Sequence, residues 1–167
     1  MFEALSTPVW KAVADIAVSV EHVGSTAVPG LAAKAIIDMD VIVPSRAEIP
    51  GAIERLGALG YVHRGDLGIA GREAFQSPAG LPAHHLYVCA QDNDALKNHL
   101  IIRDALRHDP VAAAAYGALK KELAAKCAGN IGKYVEGKSA FLLDMLRRAG
   151  FGDTALDAIR EANRAKL

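Results

Sequence analysis

An apolar run carrying acids at alternate positions admits few folds, and residues 35–43, AIIDMDVIV, are such a run. The density of β-branched residues and the closing Pro44 predict a strand. Alternate side chains of a strand share a face, so Asp38 and Asp40 point the same way, in company with Ile36 and Ile42. Ile37, Met39, Val41 and Val43 then form an unbroken apolar face for a core. Two carboxylates inside such a run are costly unless something positive meets them. Like charges at this spacing repel, which favours binding of a cation. Hard oxygen donors suit Mg²⁺, which commonly takes one or two carboxylates together with substrate phosphates. The alternative is an edge strand with a solvated face, or Asp38 paired to Lys34 or to an arginine.

The residues just before this strand extend the theme. Residues 18–23 are extended in character and lead into Gly24-Ser25, after which residues 25–34 are rich in Ala and Gly around Pro29-Gly30. A glycine and a serine between a strand and a short or broken helical segment offer backbone N–H groups and a hydroxyl to an anion. Read alone, the same turn is an ordinary connection capped by Ser25 or Thr26.

The 167 residues suffice for one domain, a mixed α/β part over 1–91 followed by a helical part over 92–167. Helices are expected over 8–18, with Pro8 in the first turn, and over 48–59, 94–108, 110–127, 134–149 and 153–166. Further strands are expected at 61–63, 72–76 and 83–90. Lys plus Arg balance Asp plus Glu, for a formal net charge of zero, which argues against a nucleic-acid or membrane binder acting through bulk charge. Cys89 and Cys127 are far apart with no CxxC, as expected of reduced thiols. With no signal peptide and no long apolar span, a cytoplasmic protein is expected.

Other residues are candidates by position. His84 and His85 open a strand on opposite faces, so one can line a site while the other does not. Arg103 and Arg107 lie one turn apart on a helix, fit to clamp an anion or to pair with Asp104 and Asp109. Tyr134 and Lys138 fall on the stripe that continues through Phe141 and Met145. A lysine on a buried stripe needs an anion or a path to the surface. Lys120 is a weaker candidate of the same kind. Asp66, Arg72 and Glu73 stand in or beside a glycine-dense segment, and His22 precedes the Gly-Ser turn.

These blocks together, EHVGSTAVPGLAAKAIID with MDVIV, GDLGIAGREAF, HHLYVC, IIRDALRHDP, YGALKKELA and YVEGKSAF, resemble the GrpB family in order along nearly the whole chain. The resemblance implies a nucleotidyltransferase-like fold: a short mixed sheet flanked by helices, a Gly-Ser turn, an Asp-x-Asp strand and a helical C-terminal region. A similar domain occurs fused to dephospho-coenzyme A kinase in some bacteria. In such folds the turn meets nucleotide phosphates, paired acids bind two metal ions, and a third carboxylate stands on a later strand. Gly24 and Ser25 match the turn and Asp38 and Asp40 the acidic pair. The later strand, HHLYVCA, has no acid, so Glu73 or His85 would take the third place.

The expected function is therefore a nucleotidyltransferase dependent on Mg²⁺ or Mn²⁺, moving a nucleotidyl group from a nucleoside triphosphate to a small acceptor. Gly24 and Ser25 would hold phosphates, Asp38 and Asp40 the metal, and Lys138, Arg103 and His85 would contact phosphate or acceptor. The rival is a non-catalytic nucleotide- or coenzyme-binding module assisting a kinase partner, favoured by the missing third carboxylate. A scaffold that keeps the fold for packing alone is a third class.

Overall fold

The computed structural model describes residues 1–127 and 129–164. Its strands are β1 (Ser19–Val23), β2 (Ile37–Val43), β3 (Val62–His63), β4 (Arg72–Gln76) and β5 (His84–Ala90). They form one five-stranded sheet in the order β1-β2-β5-β4-β3. Only β2 and β5 run parallel; β1 with β2, β5 with β4 and β4 with β3 are antiparallel. A parallel pair needs a crossover, and here it carries helix α2 (Ile49–Ala58) and the β3–β4 hairpin.

Register divides the sheet into two unlike faces. On one, Met39 and Val41 of β2 adjoin Leu86 and Val88 of β5, and α2 and α1 (Phe2–Val13) cover them with Leu5, Val9, Val13, Ala52 and Leu56. This is the main core, and Val9, Val13, Met39, Val41, Leu56 and Val88 are wholly excluded from solvent. Each such side chain contributes about 1.5–3 kcal/mol on burial. The other face carries Asp38, Asp40 and Ile42 opposite His85, Tyr87 and Cys89. Helix α3 (Asp94–His108) lies over it, with Leu96 and Leu100 packed against Ile42, Cys89 and Tyr87. Asn93 starts α3, its side-chain oxygen accepting from the N–H groups of Ala95 and Leu96.

Helices α4 (Pro110–Lys126), α5 (Ile131–Arg148) and α6 (Asp153–Arg164) complete the chain beside α3. The expected elements are present within a few residues except at the N-terminus. There the helix spans Phe2–Val13, so Pro8 sits inside it and not in its first turn. The kept register places Leu5, Val9 and Val13 inward, and Ala4 and Pro8 are exposed, where water can meet the carbonyl that proline leaves without a donor. Residues 165 and 166 of the expected last helix lie outside the described residues. Both cysteines are free thiols. No helix among the described residues is long and apolar enough to cross a membrane.

Candidate functional site

The Gly-Ser turn follows β1 and continues as a short 3₁₀ turn over Ser25–Ala27. Gly24 has φ 70° and ψ −167°, a region essentially closed to other residues. A Cβ added there would overlap the Asp38 carboxylate, so glycine serves both the backbone angle and the close approach of strand and turn. The Thr26 hydroxyl donates to the Ile36 carbonyl at 3.2 Å and lies 3.0 Å from His22 Nε2. Burial and the nearby Arg107 and Arg103 lower the proton affinity of His22, although Asp38 opposes them. A neutral His22 with its proton on Nε2 therefore donates to Thr26, and this histidine ties the turn to the strands.

Asp38 lines a cavity of about 250 Å³ together with Gly24, Ser25, His99, Arg103 and Lys138. Turn, strand β2, α3 and α5 thus converge on one space. Asp38 Oδ1 lies 2.8 Å from Nδ1 of His85, its directly opposed partner on β5. Asp40 lies deeper and is not part of the cavity wall. It is fully buried; Oδ2 lies 2.7 Å from His99 Nδ1, while Oδ1 is buried with no hydrogen-bond partner. A buried carboxylate oxygen left alone is uncommon and calls for a cation or a donor.

The cations of the site come from the helical half. Lys120 of α4 is buried, and its Nζ donates to Ser25 Oγ at 2.8 Å and lies 4.8 Å from the Tyr116 ring centroid. Burial first, then the charge of Lys138, bring its pKa down to about 8. Lys138 sits over the Tyr134 ring at 4.7 Å. Burial lowers its proton affinity too, with Asp38 pulling it back up and Lys34 opposing. Arg103 is engaged within the protein: it donates to Glu21 Oε2 at 2.7 Å, to Asp104 and to the His22 carbonyl at 3.1 Å, bracing β1 just before the turn. Arg107 donates to the Ala27 carbonyl on the far side of the same turn.

The structure thus brings Gly24, Ser25, Asp38, Arg103 and Lys138 to one cavity, places His85 behind Asp38 and sets Asp40 beneath. Glu73 is directed elsewhere: opposite Val88, it belongs to the apolar face and meets His63 at 2.7 Å, so it cannot join Asp38 and Asp40. His84 shares that face, between the Tyr61 hydroxyl and the Pro82 carbonyl. Arg72 lies on the acidic face, stacked over Tyr87 at 4.3 Å and away from the turn. His99 and Asn98, also in the cavity wall, were not among the sequence candidates, and Lys120 ranked low. Among the described residues no cluster of three or more His, Cys, Asp or Glu side chains is arranged to hold a metal ion alone.

With this geometry in hand, relatives place the chain. Residues 1–148 match the model of the GrpB protein family. The chain belongs to the GrpB family. UPF0157 protein YqkA of Bacillus subtilis is 40% identical over 125 residues, which are 75% of this chain and 36% of that protein. Glutamate-rich protein GrpB of Alkalihalophilus pseudofirmus is 33% identical over 132 residues, 76% of each chain. The match thus spans little more than a third of the first relative and three quarters of the second. Among solved structures, the conserved protein GrpB from Enterococcus faecalis superposes with a TM-score of 0.77 at 33% identity, covering 93% of this chain and 90% of that one. Terminal uridylyl transferase 4 from Trypanosoma brucei with bound UTP gives a TM-score of 0.51 at 17% identity, covering 95% of this GrpB-family chain and 55% of the transferase. At that identity the likeness is one of fold, and the fold is that of nucleotidyltransferases.

Proposed function

We propose that this GrpB-family chain binds a nucleoside triphosphate with Mg²⁺ or Mn²⁺ and transfers its nucleotidyl group to a small acceptor. The observation that carries the reading is the meeting of Lys120 and the Gly-Ser turn beside Asp38. A buried ammonium whose hydrogen-bond partner is a hydroxyl, not a carboxylate, is suited to an anion entering the same space.

Asp38 and Asp40 are the donors that would hold the metal, and the orphaned Oδ1 of Asp40 fits that role. Two carboxylates make an incomplete shell, which suits an ion whose remaining ligands are substrate phosphates and water. When bound, the metal supplies charge neutralisation at the phosphates. The protein's own part is positioning. Gly24 and Ser25 offer backbone N–H groups and a hydroxyl to the β- and γ-phosphates, and Lys120 and Lys138 neutralise them. Arg103 braces the turn through Glu21 and the His22 carbonyl, and His85 fixes the orientation of Asp38. In the transfer, the acceptor oxygen forms a bond to the α-phosphorus and the bond from that phosphorus to the bridging oxygen breaks. Pyrophosphate leaves toward the lysines, and the acceptor proton passes to water.

One observation favours a second reading, a nucleotide- or coenzyme-binding module without turnover. His85 stands opposite Asp38, where the family resemblance calls for a third carboxylate. Pyrophosphate release separates the two. With Mg²⁺ and each of the four triphosphates against a pool of small metabolites, the transferase reading expects release above the no-acceptor control. Tight triphosphate binding without release from any combination would instead favour the module.

A further inference from the structure

Several hydroxyls of the chain serve local structure: Thr7, Thr26 and Ser139 donate to backbone carbonyls, and Ser45 to Glu48. Ser25 differs. Its oxygen lies 2.8 Å from Lys120 Nζ, and no carboxylate among the described residues pairs with that lysine. Ser25 is half-buried in the cavity wall, and Lys120 is buried behind it. The titratable and charged groups packed about this amine are Tyr116 on its own helix, Tyr134 and Lys138 on α5, and Arg107 of α3 across the turn. Burial first and then Lys138 hold its pKa at about 8, so the free amine is well populated at mildly alkaline pH. In that form the hydrogen bond reverses, and Ser25 donates to Nζ. A hydroxyl open to a cavity and backed by a free amine is the arrangement of a serine nucleophile with a lysine base.

We propose that Ser25 is a nucleophile that takes the acyl group of a small uncharged ester, with Lys120 as its general base. Charge selects the electrophile. An anionic phosphate in the cavity stabilises the ammonium and so removes the base, whereas a neutral carbonyl leaves the amine free. Ser25 Oγ forms a bond to the carbonyl carbon as its proton passes to Lys120 Nζ. The carbon–oxygen bond to the alcohol then breaks, and the alcohol leaves with the proton from Nζ. Water adds to the acyl-serine with the same amine as base, releasing the acid and restoring the Ser25 hydroxyl. Lys138, in the same wall, brings positive charge for the oxyanion of each step. The reaction uses neither nucleotide nor metal, so it stands apart from the transferase reading. The two uses of the serine exclude one another, since phosphate binding needs the ammonium and acyl transfer the amine.

The test treats the full chain, without nucleotide, with an alkyl fluorophosphonate and locates the label by peptide mass spectrometry; release of p-nitrophenol from p-nitrophenyl butyrate is followed separately. The phosphonyl group is expected on Ser25, with a rate that rises about tenfold from pH 7 to pH 9 as Lys120 loses its proton. Exposed Ser45, beside the Glu48 carboxylate, should react about tenfold more slowly or less. In Lys120→Met, checked for an unchanged circular dichroism spectrum, labelling of Ser25 should fall about hundredfold and lose its pH dependence. Ser25→Ala should lose the release of p-nitrophenol. No label on Ser25, equal labelling of Ser25 and Ser45, or a Ser25 rate that stays flat between pH 7 and pH 9 would overturn the proposal, and none of these results needs a variant. Unchanged labelling in Lys120→Met, or equal release from the wild-type chain and Ser25→Ala, would overturn it as well.

Discussion

Lys120 carries its charge where water is largely excluded, and that has a sign. Its pKa of about 8 lies below the ordinary 10.5, so the folded chain holds this proton less tightly than the unfolded one. The buried charge opposes folding fully below pH 8, and that penalty disappears as pH rises from about 8 toward 10.5. A bound phosphate acts in the reverse direction, stabilising the ammonium against burial and against Lys138. Triphosphate affinity is therefore expected to be full below pH 8 and to fall as pH rises through it. In Lys120→Met, affinity at pH 7 should drop about tenfold, the worth of a charge-assisted hydrogen bond, and the fall near pH 8 should flatten; calorimetry across pH 6.5–9.5 checks both. Gly24 makes a sterner demand. Gly24→Ala should cost about 1–3 kcal/mol, read as a lowered urea midpoint, because the backbone angle is closed to alanine and the new methyl overlaps Asp38. At this scale the sequence was informative where chemistry is contiguous: Gly24, Ser25, Asp38 and Asp40 fall within one stretch of unusual composition. Lys120 was obscured because α4 is alanine on several sides, PVAAAAYGALKKELAAK, and no apolar stripe reveals which face turns inward.

At the level of elements, the site depends on α3 being held against the acidic face of the sheet. Three contacts from this helix reach the strands: His99 to Asp40, and Arg103 to Glu21 and to the His22 carbonyl. Removing His99 leaves both oxygens of a wholly buried carboxylate without these partners, so His99→Leu should cost about 1–3 kcal/mol in chemical denaturation. The double variant Asp40→Leu with His99→Leu removes both sides and should recover much of that loss while abolishing metal-dependent nucleotide binding. Sequence patterning placed these elements well, since β4 and α3 fall at the expected residues and β2 within two, yet it could not dock them. That His99 would meet Asp40 depends on the rotation of α3 about its axis, which tertiary packing of Leu96 and Leu100 sets. Pro8 shows the opposite failure: a local rule placed it in a first turn, and the apolar spacing of Leu5, Val9 and Val13 prevailed.

As a whole, the molecule sets a turn from its β-rich half against lysines from its helical half. Neither half alone makes the cavity, because Gly24, Ser25 and Asp38 come from one and Arg103 and Lys138 from the other, with Lys120 of the helical half donating to Ser25. The family relation was legible from the ordered blocks of sequence, whereas the cavity was not, since it exists only once α3, α4 and α5 are packed. With two carboxylates and no third, metal and nucleotide are expected to bind together. Mg²⁺ alone should show little affinity, and a triphosphate should bind at least tenfold more tightly with Mg²⁺ than with EDTA. The central claim is that Asp38 and Lys120 face one bound magnesium triphosphate, and calorimetry with ATP, GTP, CTP and UTP tests it on three proteins. The wild-type chain should bind at least one triphosphate in a Mg²⁺-dependent manner. Asp38→Asn should lose the dependence on Mg²⁺, and Lys120→Met should lose affinity while keeping that dependence. Wild-type binding that neither substitution alters, or no binding of any of the four, would contradict the account.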